Sequence, residues 1–180
     1  NMGRAQALTS VLDAAVILQQ REPAICFVFV GGGLEVETLK QYLQHKMLKN
    51  VVFMPPVPMT EIGNLLQAAD ALLVHLKQDP LFKITIPSKT QAYMAVGKPI
   101  LMGVEGDAAD LVKQAHCGTL AQSEDAVSIA EAALTLYQMQ PDQRKILSNN
   151  SRKFYQDELS LNSGVKKFSN VFNRLTLLTR

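Results

Sequence analysis

Three short stretches of this chain carry residue types that meet anions. Gly3-Arg4-Ala5-Gln6, Gly31-Gly32-Gly33 and Pro87-Ser88-Lys89 each join a glycine or a helix start to a cation or an amide. Glycine lets backbone N–H groups approach a ligand closely, a helix N-terminus adds partial positive charge, and Arg4 and Lys89 add full charges. Such a set suits a diphosphate. Gln91, on the loop-facing side one turn further along, is placed to meet a ribose hydroxyl or water. Each stretch also has a plain structural use: Gly31–Gly33 as a strand-to-helix turn, Ser88 as a helix cap, Lys89 as a solvated surface cation.

Other reactive side chains are scattered. His45 ends a helical pattern and His116 precedes a turn, while His75 alone falls at the carboxyl end of a strand near the glycine turns. Glu105, Asp107 and Asp110 sit where they charge the start of a helix as readily as they touch a ligand. No Ser-His-Asp set, Cys-His pair or HExxH spacing is present, so self-contained hydrolysis is not expected. Cys26 and Cys117 lie far apart without a CxxC partner or a ligand-spaced histidine, which predicts two free thiols rather than a disulfide or a zinc site.

The elements that position these residues alternate. Gln6–Gln20 has apolar residues at helical spacing, closed by Pro23, and Ile25–Val30 is a continuous apolar run ending on Gly31. A strand apolar on both faces belongs inside a covered, parallel sheet. A helix over Leu34–His45, a strand over Val51–Met54, a helix over Thr60–Ala69 capped by Thr60, and a strand over Ala71–His75 follow. Then come a helix over Ser88–Val96, a strand over Pro99–Met102, a helix opening near Asp107 and a short strand at Gly118–Leu120. This order predicts an α/β fold with a doubly wound, parallel, Rossmann-like sheet, whose ligands sit outside the carboxyl ends of the strands. Asp125–Met139, Pro141–Gln156 and Val165–Leu178 read as helices, with a break over Ser160–Gly164. The division expected is residues 1–140 as the sheet domain and 141–180 as its helical extension. A strand normally precedes a turn such as Asn1–Arg4, so the chain reads as part of a longer protein.

The composition narrows the class. With 180 residues, 47% hydrophobic content and a net charge of +2, the chain builds a core and has no basic run for nucleic acid. No apolar run approaches the ~20 residues that span a bilayer, and no signal peptide opens the sequence. A cytoplasmic protein is expected.

Taken in combination, the motifs resemble retaining glycosyltransferases of family four, with the GT-B fold, in their nucleotide-sugar-binding C-terminal domain. The subgroup it is most similar to contains the fucosamine transferases of capsule and O-antigen synthesis, with openings like Gly-Asn-Met-Gly-Arg-Ala-Gln and a Pro-Ser-Lys-x-x-Glu-Tyr-Met-Ala-x-Gly-Lys-Pro core. The residues that carry the resemblance are Asn1–Gln6, Phe29–Gly33, Asn50–Phe53, Pro87–Lys89, Tyr93–Pro99 and Glu105–Asp107.

The resemblance implies donor contacts from Gly3, Arg4, Gln6, Gly32, Gly33, Pro87, Ser88, Lys89 and Gln91. Gln91 is expected at the place of the last carboxylate of a Glu-x7-Glu pair, which holds the ribose, and Lys83 at the first, facing the donor sugar or its phosphate as the catalytic candidate. Base recognition is expected from backbone near Pro55–Met59 and Gly32–Gly33. No tightly bound cofactor or metal is expected, only a nucleotide diphosphate sugar as donor, UDP-linked first. The acceptor would be a glycan or a lipid-linked glycan, and a second, N-terminal domain would carry its site. The last helix would cross back to that domain through Val165, Phe168, Val171, Phe172 and Leu175, and the full-length enzyme would lie at the inner face of the membrane. A non-catalytic nucleotide-binding module and a UDP-N-acetylglucosamine epimerase remain as alternatives, the latter lacking a visible acid and histidine set.

Overall fold

A computed structural model describes residues 1–178. After a single 3-10 turn over Arg4–Gln6, helix α1 (Leu8–Arg21) leads to strand β1 (Phe27–Val30), α2 (Val36–His45), β2 (Val51–Met54), α3 (Met59–Ala68) and β3 (Leu72–His75). The second half runs α4 (Pro80–Lys83), α5 (Ser88–Val96), β4 (Ile100–Gly103), α6 (Asp107–Gln114), β5 (Gly118–Leu120), α7 (Ala126–Gln138), α8 (Pro141–Phe154) and α9 (Leu161–Leu178).

All pairings among the described strands are parallel: Phe27 lies beside Val51 in β1–β2, Leu72 beside Ile100 in β3–β4, and Ile100 beside Gly118 in β4–β5. The strands form two ladders, β1–β2 and β3–β4–β5. Side chains of successive residues point to opposite faces, which sorts the core into two layers. Phe27, Phe29, Leu73 and Leu101 pack with α1 and α7 around Leu12, Leu18 and Ile129. Val74, Ile100 and Met102 face the other way, onto Met94 of α5 and Val112 of α6. Helices thus cover both faces of β3 and β4, as double winding requires. Each fully buried Leu or Ile in these layers contributes about 1.5–3 kcal/mol by leaving water.

Several boundaries differ from the sequence pattern for local reasons. The first strand starts at Phe27, because the Ile25 N–H turns back to the Glu22 carbonyl at 3.1 Å. That strand is covered on one face only: Val28 is 52% exposed. Thr60 and Ser88 are not caps. The cap positions are Pro58 and Pro87, neither with a side-chain hydrogen bond, and Thr60 and Ser88 fall within the first turns. Asp125 does cap α7, accepting the Ser128 N–H at 2.9 Å. The expected break at 160–164 is shorter: a π-turn over Tyr155–Leu159 ends at Ser160, whose hydroxyl accepts the Ser163 N–H, and Gly164 lies inside α9. Phe154, Tyr155 and Leu159 pack onto the second layer of the core, fastening the C-terminal segment beneath α5. Val165, Phe168 and Val171 on α9 are exposed.

Candidate functional site

The carboxyl ends of β1 and β3 are joined by the first six residues. The Met2 N–H donates to the Gly32 carbonyl at 2.8 Å, and the Lys77 N–H, just past β3, donates to the Ala5 carbonyl at 2.9 Å. Met2 itself is buried in the first core layer. Gly33, at φ +155°, lies so close that a Cβ there would stand 2.2 Å from the Met2 carbonyl oxygen, so only glycine fits. On the other side, the Lys89 side chain stands beside the Asn1 backbone nitrogen. Gly3, Gly32 and Lys89 therefore share one rim, at the crest where open sheets place ligands.

The donors at this rim are not all free. The Gly3 N–H is taken by Gln6 Oε1 at 2.9 Å, so Gln6 closes its own turn instead of facing a ligand. Arg4 pairs with Glu35 at 3.6 Å but keeps a side chain 89% exposed, and such a loose surface pair holds it by no more than ~1 kcal/mol. Gly32 and Gly33 are exposed, and no acceptor within the described residues receives their N–H groups. The Ser88 and Lys89 N–H groups belong to the first turn of α5 and point outward from it, beside the exposed Lys89 side chain. The positive end of α5 and the Gly32–Gly33 turn thus flank Asn1 and Arg4.

Lys83 occupies a separate part of the crest. Its ammonium binds Glu105 Oε2 at 2.7 Å, in a shallow crevice that also includes Lys77, Asp79 and Phe82. Gly106, at φ +74°, brings the two together, since a Cβ there would stand 2.0 Å from the Lys83 carbonyl oxygen. The sequence reading missed this turn. Its signal was Asp79-Pro80: the Asp79 carboxylate accepts the Leu81 N–H at 3.0 Å, and Pro80 takes the first helical position. Gln91 is exposed on α5. In the pattern Pro-Ser-Lys-x-x-Glu-Tyr-Met the acid immediately precedes the tyrosine, and the residue before Tyr93 is Ala92, which is also exposed. The acid's place therefore falls on Ala92 and its partner's on Ile84, one position beyond Gln91 and Lys83.

His75 is a structural hub. It is 5% exposed, its Nδ1 lies 2.7 Å from the Gln6 carbonyl, and its Nε2 accepts the Glu124 N–H at 3.1 Å. That pattern fixes a neutral ring with the proton on Nδ1. Burial pushes its pKa below the usual value, against the opposing pull of the Gln6 carbonyl and the Glu124 charge. Asp107 and Asp110 lie in the first turn of α6, where they complement its dipole. Among the described residues, no three His, Cys, Asp or Glu side chains gather to hold a metal ion. Both cysteines are free, and burial pushes the Cys117 thiol up to about 11.

Sequence comparison decides the family. The pattern of the family described as "Glycosyl transferases group 1" matches residues 1–154. The chain belongs to this family. It is similar to the probable glycosyltransferase WbjE of Pseudomonas aeruginosa, 28% identical over 132 residues, which cover 72% of this chain and 32% of that protein. The chain thus spans about a third of that relative's length. Among solved structures it resembles S. aureus TarM bound to fondaparinux, α-GlcNAc-glycerol and UDP, with a TM-score of 0.79 at 15% identity over 96% of this chain and 34% of that one. Anabaena HepE with UDP and glucose gives 0.75 at 18% identity, over 93% and 45%. The C-terminal domain of the group 1 protein LpcC from Francisella tularensis gives 0.71 at 16% identity, over 89% and 84%. The chain is a C-terminal, GT-B type domain of this family. Among the described residues, no helix is long and apolar enough to cross a membrane.

Proposed function

We propose that this chain is the donor-binding half of a glycosyltransferase that takes a sugar from a nucleoside diphosphate sugar, UDP-linked, and passes it to a lipid-linked or glycan acceptor in surface polysaccharide synthesis. The observation that carries the reading is the meeting of Gly32, Gly33, Lys89 and the Asn1–Arg4 turn on one rim. In that role the open N–H groups at Gly32–Gly33 and at the start of α5, with Lys89 and Arg4, hold the diphosphate. They also stabilise the negative charge that grows on it as the sugar leaves. The acceptor site and an N-terminal domain lie outside these residues on this reading. Relatives of known structure carry UDP, UDP-glucose or sugars, which supports the donor class.

A second reading, a nucleotide-binding module without catalysis, draws on two features: the Lys83 ammonium is paired with Glu105, and Ala92 stands where a ribose-binding acid is expected. Calorimetry with UDP, UDP-GlcNAc and uridine tests both readings at once. UDP is expected to bind and Lys89→Ala to weaken it about 10- to 100-fold, the range of one charge-assisted contact, while uridine binding stays unchanged. A folded chain that takes up neither UDP nor GDP defeats both readings.

A further inference from the structure

The His75 ring grips two backbone segments at once. Its Nδ1–H donates to the Gln6 carbonyl at 2.7 Å, and its Nε2 accepts the Glu124 N–H at 3.1 Å. The ring fits there because its neighbour on β4 is Gly103, where a Cβ would stand 2.5 Å from His75 Cδ2. Both segments hold unusual backbone. Among the described residues four non-glycine residues have positive φ, and two of them lie at this ring: Glu124, at +60°, and Ala7, at +43°, the residue after Gln6. Left-handed backbone outside glycine is strained, and it persists where surrounding contacts impose it.

The Gln6 side of this grip belongs to the rim. Arg4 opens the turn, the Ala7 N–H closes it onto the Arg4 carbonyl at 3.2 Å, and the Ala5 carbonyl accepts the Lys77 N–H at 2.9 Å. The Arg4 side chain is 89% exposed and meets Glu35 only at 3.6 Å, so its guanidinium has no firm hold of its own. Its reach is set by the backbone that carries it. We infer that His75 is a positioning residue for diphosphate binding: by holding the Gln6 carbonyl it keeps the Arg4 turn, and with it the guanidinium, aimed at the rim. The inference deepens the donor-binding reading and rests on it. His75 is 5% exposed and acts through the turn, not on the ligand. Its second nitrogen anchors the ring to the loop after β5, which is itself tied to β4 where the Ser123 hydroxyl donates to the Gly103 carbonyl at 3.1 Å.

Two amide variants separate the ring's two contacts. An asparagine amide stands in for Nδ1 and a glutamine amide for Nε2, so His75→Asn keeps a donor for Gln6 and His75→Gln keeps an acceptor for Glu124. Both remove the ring, so a purely structural role affects them alike. In calorimetry, His75→Gln is expected to weaken UDP binding about 10-fold and His75→Asn less than about 3-fold, with uridine binding unchanged in both. In an Arg4→Ala background, His75→Gln is expected to add less than about a 2-fold loss, because its effect passes through that side chain. Equal losses in the two variants, a loss that uridine shares, or a full further loss in the Arg4→Ala background overturns the inference. The native chain supplies a measurement that no folding defect disturbs. By linkage, UDP held by the Arg4 turn slows solvent exchange of the His75 Nδ1 proton, read by NMR, at least about 5-fold. An unchanged rate overturns the inference as well. A native chain that binds no UDP removes the donor-binding reading together with this inference, whereas UDP binding with any of the contrary results removes this inference alone.

Discussion

At the residue scale, the rim owes its form to glycines in positions that no other residue fills. Gly106 holds φ +74° against the Lys83 carbonyl, so Gly106→Ala meets strain and a collision together. A loss of about 2–4 kcal/mol is expected in urea denaturation, and the Lys83–Glu105 pair, itself a surface contact worth ~1 kcal/mol or less, separates as the loop shifts. The place of Ala92 yields a change in the opposite direction. It is exposed in α5 directly before Tyr93, at the position that the pattern Pro-Ser-Lys-x-x-Glu-Tyr-Met gives to an acid, which on the proposed reading would face the donor's ribose. An ionised carboxylate accepts a hydroxyl proton more strongly than a neutral group does. Ala92→Glu is therefore expected to tighten UDP binding about 5- to 10-fold and to leave binding of a 2′,3′-dideoxyuridine diphosphate unchanged, as read by calorimetry. Equal gains for both ligands would assign the effect to something other than the ribose.

At the element scale, helix ends decide what local sequence can do. Asp125 satisfies the Ser128 N–H at the start of α7, which carries Ile129, Ala130 and Leu136 into the first core layer. Asp125→Ala is expected to cost about 1 kcal/mol in chemical denaturation. Gly63 in α3 has open space around its missing Cβ, and Gly63→Ala is expected to stabilise the chain by about 0.5–1 kcal/mol. These elements were largely legible in the sequence. Val51–Met54 and Ser88–Val96 have the bounds their patterns predict, because an apolar run between turn residues and a Pro-to-Gly segment are strong local signals. Less legible were groups whose partners are chosen by tertiary contact. Nothing local says that Glu35 meets Arg4 or that Glu105 meets Lys83. The uncovered face of β1 was illegible for the same reason: an apolar strand shows that burial is needed but not which segment supplies it.

At the scale of the whole molecule, the parts are joined at the crest by His75. Its ring reaches the Gln6 turn on one side and the loop after β5 on the other, where Gln78 also binds Glu124 and Ser123. The Nε2 lone pair that receives the Glu124 N–H is lost when the ring takes a second proton, so protonation turns that contact into a clash of donors. Burial is the largest influence on the ring and lowers its native pKa below 6.5. Above about pH 6.5 the ring is neutral in both folded and unfolded chains, and it contributes no pH dependence. As the pH falls through 6.5, the unfolded chain binds a proton that the folded chain refuses. Stability therefore declines by up to about 1.4 kcal/mol per pH unit until the lowered native pKa is reached, below which this contribution levels off. Urea denaturation at pH 7.5, 6.5, 5.5 and 4.5 measures it, with His75→Gln as the reference, since that side chain does not titrate. The native chain is expected to lose more stability than the variant between pH 6.5 and 4.5 and to run parallel to it above pH 7. Parallel curves across the whole range would mean that the ring binds its second proton as readily in the fold as in water, and that the hub does not depend on a neutral imidazole.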